Sequence, residues 1–369
     1  MTAPAQKLRV VVWSTGTVGR HAIAGVVRHP DLELVGVWVS SDPKDGRDVG
    51  ELAGLGYELG LAATTDRQAL LDLDPDAIIH CAMTDDRTYE AVDDLVAFVE
   101  AGIDVVSSGP VVMLTRNPMV PDETWERLEA AGRRTGASLH VNGIDPGWAN
   151  DVLPLQLSSL SQRIDHVRVS EIADYSTYYQ PVVMKELFGF GDALDAEKML
   201  WMPGILSAGW GPVVRVVAEG LGLTLDEPLV EHVDRRPADR DLSTASVDIA
   251  AGTMAAVRFQ VVGTVDGVPR VTLEHVTRTA EDQAPEWPRP DNGGGCYRVE
   301  IDGEPCMKLE FTHHGEHGDH NTSGMIVTAQ RLVNSVAAVV AAEPGLVTTL
   351  DLPLITGRGL VARKDEVSA

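Results

Sequence analysis

The pattern of apolar residues near the N-terminus predicts a buried strand, a turn and a helix. Residues 10–13 form an uninterrupted apolar run, which is typical of a strand buried on both faces of a parallel sheet. Small residues fill the turn from Ser14 to Gly19, and apolar residues then recur at helical spacing from Val18 to Val27. A strand, a small-residue turn and a helix in this order form the context in which a glycine-rich turn binds a dinucleotide.

The alternation of strand and helix continues as far as residue 142. Further buried strands are predicted at residues 34–39, 76–82, 104–110 and 138–142. Helical periodicity lies between them, most clearly at residues 89–99 and 123–136. Short strands that alternate with helices indicate a doubly wound parallel sheet, so we expect an α/β fold of the Rossmann type for this part of the chain.

The pattern changes after the turn-rich stretch at residues 142–148. A helix is predicted at residues 151–160, and strands dominate afterwards, at residues 167–171, 253–263, 270–278, 295–301 and 307–312. Asp-Gly pairs between some of these runs are hairpin signals, which indicate a second α+β domain with a mainly antiparallel sheet. We therefore expect a dinucleotide-binding domain over residues 1–147, joined by a C-terminal helix and tail at 325–369, and a second domain over residues 148–324.

Composition and charge narrow the class of protein. The 369 residues are 44% hydrophobic, which suits two domains with real cores, and the net charge of −25 disfavours binding to nucleic acid or to an anionic membrane surface. The three cysteines follow no disulfide or metal pattern, which favours a reducing cytoplasm. We see no apolar signal core at the N-terminus and no stretch close to the ~20 apolar residues of a membrane span.

The first turn is the candidate cofactor site. It presents Ser14-x-Gly16-x-x-Gly19 where the dinucleotide fingerprint has three glycines, a pattern that by itself fits either a cofactor loop or an ordinary βα turn. Because ligands of parallel sheets bind at the carboxyl ends of the strands, residues at the other strand ends join it. The expected cofactor contacts are Ser14, Thr15, Gly16, Thr17, Val18, Gly19, Ala82, Met83, Thr84, Ser108, Gly109 and Asn142.

The end of the second strand bears on the choice of cofactor. An acidic residue here binds the ribose hydroxyls of NAD, whereas basic residues accommodate the 2′-phosphate of NADP. Ser40, Ser41, Lys44 and Arg47 outweigh Asp42, so we expect NADP to be preferred over NAD. The alternative is a solvated loop.

Candidate chemical groups lie in the second half. Tyr175 and Tyr178 are either proton donors or interfacial aromatic residues, and Trp148 is a candidate pocket wall. Residues 313–320 contain four histidines and two acids, but their spacing and glycines do not match a zinc motif, and we predict no metal. Either this loop closes over the substrate with one histidine as an acid or donor, or it is solvated. Asp145 is interpreted as a turn or cap residue.

Four stretches in order carry a family resemblance: residues 14–20, 142–155, 171–191 and 331–353. Through them the chain resembles the 2,4-diaminopentanoate dehydrogenases and native amine dehydrogenases, and its first half is similar to dihydrodipicolinate reductase. The resemblance implies an NAD(P)H-dependent oxidoreductase that reduces a carbonyl or imine, with an active site between two domains and a homodimer formed through the second sheet. Within it we expect catalytic roles for Glu171, Tyr178 and His313, and a substrate pocket with Pro110, Trp148, Tyr175 and His314.

One position departs from the family. In the amine dehydrogenases a glutamate follows the strand that here ends near Ser108, and Pro110 occupies that position. We therefore expect weak or absent reductive amination of simple ketones, and reduction of a carbonyl or preformed imine instead, unless Glu171 or Asp174 supplies the carboxylate. The alternative function is a non-catalytic NAD(P)-binding sensor or scaffold that kept the fold.

Overall fold

The computed structural model describes residues 6–84, 86–316 and 319–362. The chain divides into two compact units. Unit 1 comprises the described residues of Met1–Gly143 and Met325–Ala369, and unit 2 comprises those of Ile144–Gly324. The domain boundary predicted from the sequence, after residue 147, lies slightly later in the chain than the observed boundary after Gly143.

Unit 1 is a parallel sheet with helices. Its elements in chain order are β1 (Leu8–Trp13), α1 (Thr17–Arg28), β2 (Leu32–Trp38), α2 (Val49–Ala53), α3 (Arg67–Leu71), β3 (Ala77–His80), α4 (Thr88–Glu100), β4 (Asp104–Ser107), α5 (Asp122–Thr135) and β5 (Ser138–Val141). A short strand near the C-terminus, β14 (Gly345–Leu346), joins the same sheet. The strand order is β14-β5-β4-β3-β1-β2, and every pair is parallel.

The apolar run that opens the chain forms the centre of this sheet. Val10, Val11 and Val12 are fully buried, as expected for a strand with neighbours on both sides and helices over it. Val10 and Val12 pack with Ile23 of α1 and with Leu332 in one core cluster. This packing fixes the turn after β1, where the chain must reverse from the sheet into α1.

Unit 2 is built on a second six-stranded sheet. Its elements are α6 (Val152–Ser158), β6 (Arg163–Asp174), α7 (Ile205–Gly209), α8 (Gly211–Gly220), β7 (Val230–Pro237), β8 (Leu242–Ser243), β9 (Asp248–Ile249), β10 (Met254–Val265), β11 (Val268–Arg278), β12 (Gly295–Glu304) and β13 (Met307–Phe311). The main sheet has the order β13-β12-β6-β11-β10-β7. Neighbours are antiparallel except β6 and β11, which run parallel.

The parallel strands β6 and β11 at the middle of this sheet bring polar residues of distant segments next to each other. Glu171 of β6 lies opposite His275 of β11, and opposite Tyr297 of β12 on its other side. The predicted loop at residues 280–295 connects β11 to β12. The π-helical segment at Val182–Phe188, the helices α7 and α8 and the edge strand β7 were not predicted from the sequence.

The long helix α9 (His320–Val340) begins in unit 2 and continues into unit 1. By length and composition it is apolar enough to cross a membrane. Its apolar residues Leu332, Val333 and Val336, however, are at most 1% exposed and belong to the core cluster around β1. Core packing therefore accounts for the apolar character of this helix.

Candidate functional site

The turn between β1 and α1 holds its shape through Ser14. Its φ of 108° lies in the region that favours glycine, and the Gly16 amide donates to its hydroxyl oxygen at 3.1 Å. A Cβ on Gly19 would lie 2.1 Å from the Ser14 carbonyl oxygen, so a side chain there would force the turn apart. Ser14 thus stands in the place of the first fingerprint glycine and adopts a glycine-like backbone conformation.

The turn has the features that a dinucleotide pyrophosphate requires. Gly16 caps α1 with no side-chain hydrogen bond to the helix amides from the described residues. A Cβ on Gly16 would meet only the Ser14 hydroxyl, at 3.5 Å, so the backbone is open to close approach. Unpaired amides at a helix N-terminus bind anions. The turn therefore fits the phosphates of NAD(P), and Ser14 to Gly19 are the residues that would hold them.

The other expected cofactor residues lie along one edge of the parallel sheet. Ala82, Met83 and Thr84 follow β3, Ser108 and Gly109 follow β4, and Asn142 follows β5. Because all these strands are parallel, their carboxyl ends share that edge with the turn after β1.

Two contacts hold residues in place at this edge of the sheet. A Cβ on Gly109 would lie 2.7 Å from the Thr84 hydroxyl, so these two loops pack directly on each other. The Arg331 guanidinium donates to the Asn142 side-chain oxygen at 3.1 Å. Arg331 was not identified from the sequence, since it lies on α9, far from Asn142 along the chain.

The two basic residues after β2 differ in their surroundings. The Lys44 ammonium donates to the Thr15 hydroxyl at 3.1 Å, which brings a positive charge to the cofactor turn. The Arg47 guanidinium instead forms an exposed ion pair with Glu51 at 2.5 Å. Ser40 and Ser41 lie on the same connection, between β2 and the 3-10 turn at Asp42–Lys44.

In unit 2 three titratable groups converge on one point. Asp145, Glu171 and His275 each offer a ligand or proton-binding atom, and these atoms all lie within 4.8 Å of one another. We call these three residues the acid–base cluster. Glu171 and His275 face each other across the parallel strands, and Oε2 of Glu171 contacts Nε2 of His275. Their spacing is also short enough for one metal ion, so the expected absence of a metal stays a prediction.

Burial and charge separate the cluster into an ion pair and a third, titratable carboxyl group. Burial opposes ionisation of Glu171, but the charge and hydrogen bond of His275 outweigh it and hold the pKa of Glu171 far below its usual range. The same contact raises the pKa of His275 against the effect of its burial. Burial and the nearby Glu171 charge raise the pKa of Asp145 to about 7. The raised pKa of His275 and the lowered pKa of Glu171 both favour an ion pair between them, and the third group, Asp145, has a pKa of about 7.

Hydrogen bonds and rings hold the cluster in place. Asp145 accepts from the Trp210 indole at 3.1 Å and from the Asn150 amide at 3.2 Å. The ring of Phe259 stacks on His275 at 5.0 Å between centroids. These contacts restrict the rotamers of Asp145 and His275 and so keep the two side chains in one relative orientation.

The expected catalytic and pocket residues of unit 2 lie around this cluster. The Tyr175 hydroxyl is 3.4 Å from both Glu171 oxygens, and its ring packs on Tyr178 at 4.6 Å. Burial, followed by the Glu171 charge, raises the pKa of Tyr175 well above 10, so it is a neutral donor. Trp148 packs on Phe311 at 5.3 Å.

The histidine-rich loop is connected to the same place. The His320 Nε2 lies 3.9 Å from Oε1 of Glu171, and its ring stacks on His313 at 4.5 Å. His313 is half-buried and bonded to the Ser323 hydroxyl at 2.6 Å, whereas His314 is exposed. His317 lies outside the described residues.

Sequence reasoning missed several members of this site. Asp145 was interpreted as a turn residue, and His275 and Trp210 were not singled out at all. The available signal was a pair of adjacent titratable residues, Glu274 and His275, within the strand predicted at residues 270–278. Asp174, considered as a replacement carboxylate, instead accepts from the Ser176 amide at 2.7 Å.

Comparison with known proteins places the chain in a family. A family model described as the 2,4-diaminopentanoate dehydrogenase C-terminal domain matches residues 148–366. The chain is 43% identical over 361 residues to an amine dehydrogenase of Streptomyces virginiae, covering 97% of this chain and 99% of that relative. It is 24% identical over 365 residues to a 2,4-diaminopentanoate dehydrogenase of Acetoanaerobium sticklandii, covering 95% and 94% of the two chains.

The fold is shared with a solved structure. An amine dehydrogenase from Mycobacterium smegmatis superposes with a TM-score of 0.76 at 21% identity, covering 96% of this chain and 98% of the other. This confirms the predicted α/β Rossmann-type fold with a second α+β domain. The relatives give no support to a non-catalytic sensor or scaffold. The chain belongs to the family of 2,4-diaminopentanoate and amine dehydrogenases, and it is an NAD(P)-dependent oxidoreductase.

Proposed function

We propose that this protein is an amine dehydrogenase that interconverts a primary amine and the corresponding carbonyl compound. In the oxidative direction an ammonium substrate, NAD(P)⁺ and water give a carbonyl compound, ammonium, NAD(P)H and one proton. The bound cofactor accepts the hydride, and the residues of this chain must bind the ammonium, remove its proton and position the water. The full-length likeness to an enzyme named amine dehydrogenase supports this reaction.

The observation that carries the proposal is the convergence of Asp145 with Glu171 and His275, whose titratable atoms all lie within 4.8 Å of one another. A substrate ammonium has to lose a proton before a hydride can leave its carbon, and general bases are most effective with a pKa near the working pH. Asp145 has a pKa of about 7, and it keeps a partly exposed surface while Glu171 and His275 are buried beside it. We therefore assign Asp145 as the general base of amine oxidation and the acid of the reverse reaction.

The charge of the cluster favours a cationic substrate. His275 balances Glu171, so an ionised Asp145 adds one negative charge that no group in the cluster offsets. A substrate ammonium supplies the missing positive charge, whereas a neutral alcohol does not. Tyr175 and Tyr178 add aromatic surface beside the cluster, and aromatic faces attract cations. His313 and Tyr178 remain candidates for contacts to the substrate.

This proposal replaces the expectation of weak amination that followed from Pro110. Pro110 has neither a carboxylate nor an amide N–H, so it cannot bind ammonia. In our proposal Asp145 and Glu171 supply the carboxylates that bind ammonia. For Glu171 this agrees with the expectation from the sequence that it could replace the family's glutamate.

The proposal extends to the cofactor, the compartment and the oligomeric state of the protein. We propose NADP as the preferred cofactor, because Lys44 places a positive charge at the turn and no carboxylate bonds the turn among the described residues. We also propose a cytoplasmic homodimer that acts on a small carbonyl or imine. The three unpaired cysteines are compatible with a reducing compartment, and the dimer rests on the family resemblance alone.

The test is one kinetic comparison of the wild type with Asp145→Asn. NADPH oxidation is measured with a panel of ketones and aldehydes, with and without ammonium, and NADP⁺ reduction is measured with the matching amines. We expect ammonium-dependent turnover in the wild type and a loss of about 10²- to 10⁴-fold in Asp145→Asn. Asp195→Asn, which changes an exposed carboxylate of the same unit, is the matched control. Rapid wild-type turnover that does not depend on ammonium would overturn the proposal.

A further inference from the structure

Glu171 lies between two histidines, and only one of them has been given a role so far. Its Oε2 contacts Nε2 of His275, and its Oε1 lies 3.9 Å from Nε2 of His320. His320 is 7% exposed, and neither of its ring nitrogens makes a hydrogen bond with the described residues. Buried polar groups are nearly always paired, so an imidazole in this state calls for an explanation.

The fold holds the His320 ring at this place by close packing. A Cβ on Gly295, the first residue of β12, would lie 2.5 Å from two atoms of the His320 ring. The rings of Tyr297 and His313 cover it at centroid distances of 5.4 and 4.5 Å. The glycine therefore provides the space that keeps the imidazole beside Glu171, where any other residue would displace it.

His313 continues the path away from the cluster. Its ring stacks on His320, its Nδ1 is bonded to Ser323, and its Nε2 has no partner among the described residues. Burial lowers the pKa of His313 to about 4, so it is neutral at physiological pH. It is only partly buried, and its neighbours Thr312 and His314 are exposed.

We propose that His320 and His313 form a proton relay that connects Glu171 of the acid–base cluster to solvent. The inference rests on the proposed function, in which each amine oxidation leaves one proton in a largely buried cluster. Asp145 receives that proton. Because His275 is already protonated in its ion pair, the Asp145 O–H bond breaks as the Glu171 carboxylate takes up the proton for a short time. Glu171 then passes it to Nε2 of His320, so that a bond to Glu171 breaks and an N–H bond forms, with no change of oxidation state.

The second half of the relay runs from His320 outward. The rings of His320 and His313 are stacked, so one ring must turn out of the stack to bring the Nδ1–H of His320 to Nε2 of His313. The His320 N–H bond then breaks, and His313 releases the proton beside the exposed residues Thr312 and His314. The titratable groups that face His320 are Glu171 from β6, Tyr297 from β12 and His313 from the loop before α9. Burial and then the Glu171 charge raise the pKa of Tyr297 well above 10, so it does not compete for the proton.

Two variants test the relay. His320→Gln keeps a polar side chain that cannot titrate, and Gly295→Ala keeps the imidazole but displaces it from Glu171. For both we expect kcat of amine oxidation to fall by about tenfold or more, with little change in the KM for the cofactor. Added imidazole should restore kcat of His320→Gln in proportion to its concentration, because a small base replaces the missing one. A solvent deuterium isotope effect should grow at the same time.

His166→Gln is the matched control. This histidine of β6 lies in the same unit and is bonded to the Thr272 hydroxyl at 2.8 Å, away from the cluster. The substitution should leave kcat and the solvent isotope effect unchanged. An unchanged kcat in His320→Gln would overturn the relay. So would a fall that imidazole does not relieve and that follows a loss of stability, since that is the signature of a structural role.

An NMR titration separates failure of the relay from failure of the proposed function. Amine oxidation by the wild type tests the function, whereas the imidazole signals of His275 are followed against pH with no substrate present. Removing His320 leaves His275 as the single histidine partner of Glu171, so the pKa of His275 should rise in His320→Gln and stay unchanged in His166→Gln. An unchanged His275 titration in His320→Gln would overturn the relay even if the enzyme oxidises amines.

Discussion

The indole Nε1 of Trp210 donates a hydrogen bond to Oδ1 of Asp145 at 3.1 Å. This contact opposes the two effects that raise the pKa of Asp145, namely burial and the negative charge of Glu171. A donor stabilises the ionised form of a carboxyl group, so Trp210 helps to keep the pKa of Asp145 close to neutrality. The enzyme thereby keeps a partly buried carboxyl group that can both accept and return a proton near pH 7.

Replacing Trp210 by phenylalanine should shift the pH profile of the enzyme. Trp210→Phe keeps a ring against Phe259, which lies 4.7 Å away between centroids, and removes only the donor. The pKa of Asp145 should then rise by roughly one unit, or about 1.4 kcal/mol, so that amine oxidation requires a higher pH. The measurement is kcat for amine oxidation from pH 6 to 10.

Trp201→Phe serves as the control for this prediction. Its indole donates to the Phe188 carbonyl oxygen at 3.0 Å, so the variant loses the same kind of hydrogen bond without touching a carboxylate. Its pH profile should keep the wild-type midpoint. A Trp210→Phe profile that coincides with the wild type would mean that Asp145 does not control the observed titration.

The Glu171–His275 pair predicts a pH window of stability. The pKa of His275 is raised in the folded state, so its contribution is complete below its unfolded value of 6.5 and is lost as pH rises through the folded value. The pKa of Glu171 is lowered, so its contribution is complete above its unfolded value of 4.5 and is lost as pH falls through the folded value. The pair therefore stabilises the fold most between about pH 4.5 and 6.5.

Glu171→Gln tests this window. The variant should lose roughly 3–5 kcal/mol of unfolding free energy at pH 5.5, where wild-type His275 is charged, and less at pH 9. Glu274→Gln is the matched control, because buried Glu274 pairs with Arg258 and Arg168, which do not titrate in this range. Its loss should be the same at both pH values. Urea unfolding at pH 5.5 and 9 provides the comparison, and an equal loss at both values in Glu171→Gln would contradict the assigned charges.

The sequence predicts those features of the structure that depend on neighbouring residues, and it does not predict contacts between residues that are far apart in the chain. The strand, turn and helix of the candidate cofactor site follow from a continuous stretch of sequence, so β1 and α1 were predicted. Glu171 was identified through a short motif. His275 was not, because it meets Glu171 only through the register of β6 and β11, which are a hundred residues apart and run parallel. Asp145 was assigned to a turn, since nothing local shows that Trp210 and Asn150 hold it beside the cluster.

Substitutions at Gly16 and Gly19 of the turn should distinguish an effect on cofactor binding from an effect on folding. The space around Gly16 accepts a Cβ at 3.5 Å from the Ser14 hydroxyl, so Gly16→Val should fold but should block the approach of the pyrophosphate. Gly19→Ala would place its Cβ 2.1 Å from the Ser14 carbonyl oxygen and should disturb the turn itself. We expect no NAD(P)H binding by Gly16→Val in a fluorescence titration, with a wild-type circular dichroism spectrum. Wild-type affinity in Gly16→Val would exclude this turn as the cofactor site.

The surroundings of Lys44 and Arg47 predict different roles in the choice of cofactor. Lys44 reaches Thr15 of the turn, whereas Arg47 is held by Glu51. If the Lys44 ammonium meets the 2′-phosphate, Lys44→Ala should weaken NADPH binding by about 1–3 kcal/mol and leave NADH nearly unchanged. Arg47→Ala should cost less, because its charge is already partly neutralised.

Glu51→Gln tests more directly whether Arg47 contributes to the binding of NADPH. The substitution frees Arg47 from its exposed partner without changing the basic residue itself. If Arg47 lies within reach of the 2′-phosphate, the affinity for NADPH should rise while that for NADH stays the same, because only NADPH carries the additional anionic group. Dissociation constants of both cofactors for the wild type, Lys44→Ala, Arg47→Ala and Glu51→Gln give the comparison, at low salt so that exposed charges are not screened. Equal changes for NADPH and NADH, or none, would show that this loop is solvated and that the protein does not select NADP through it.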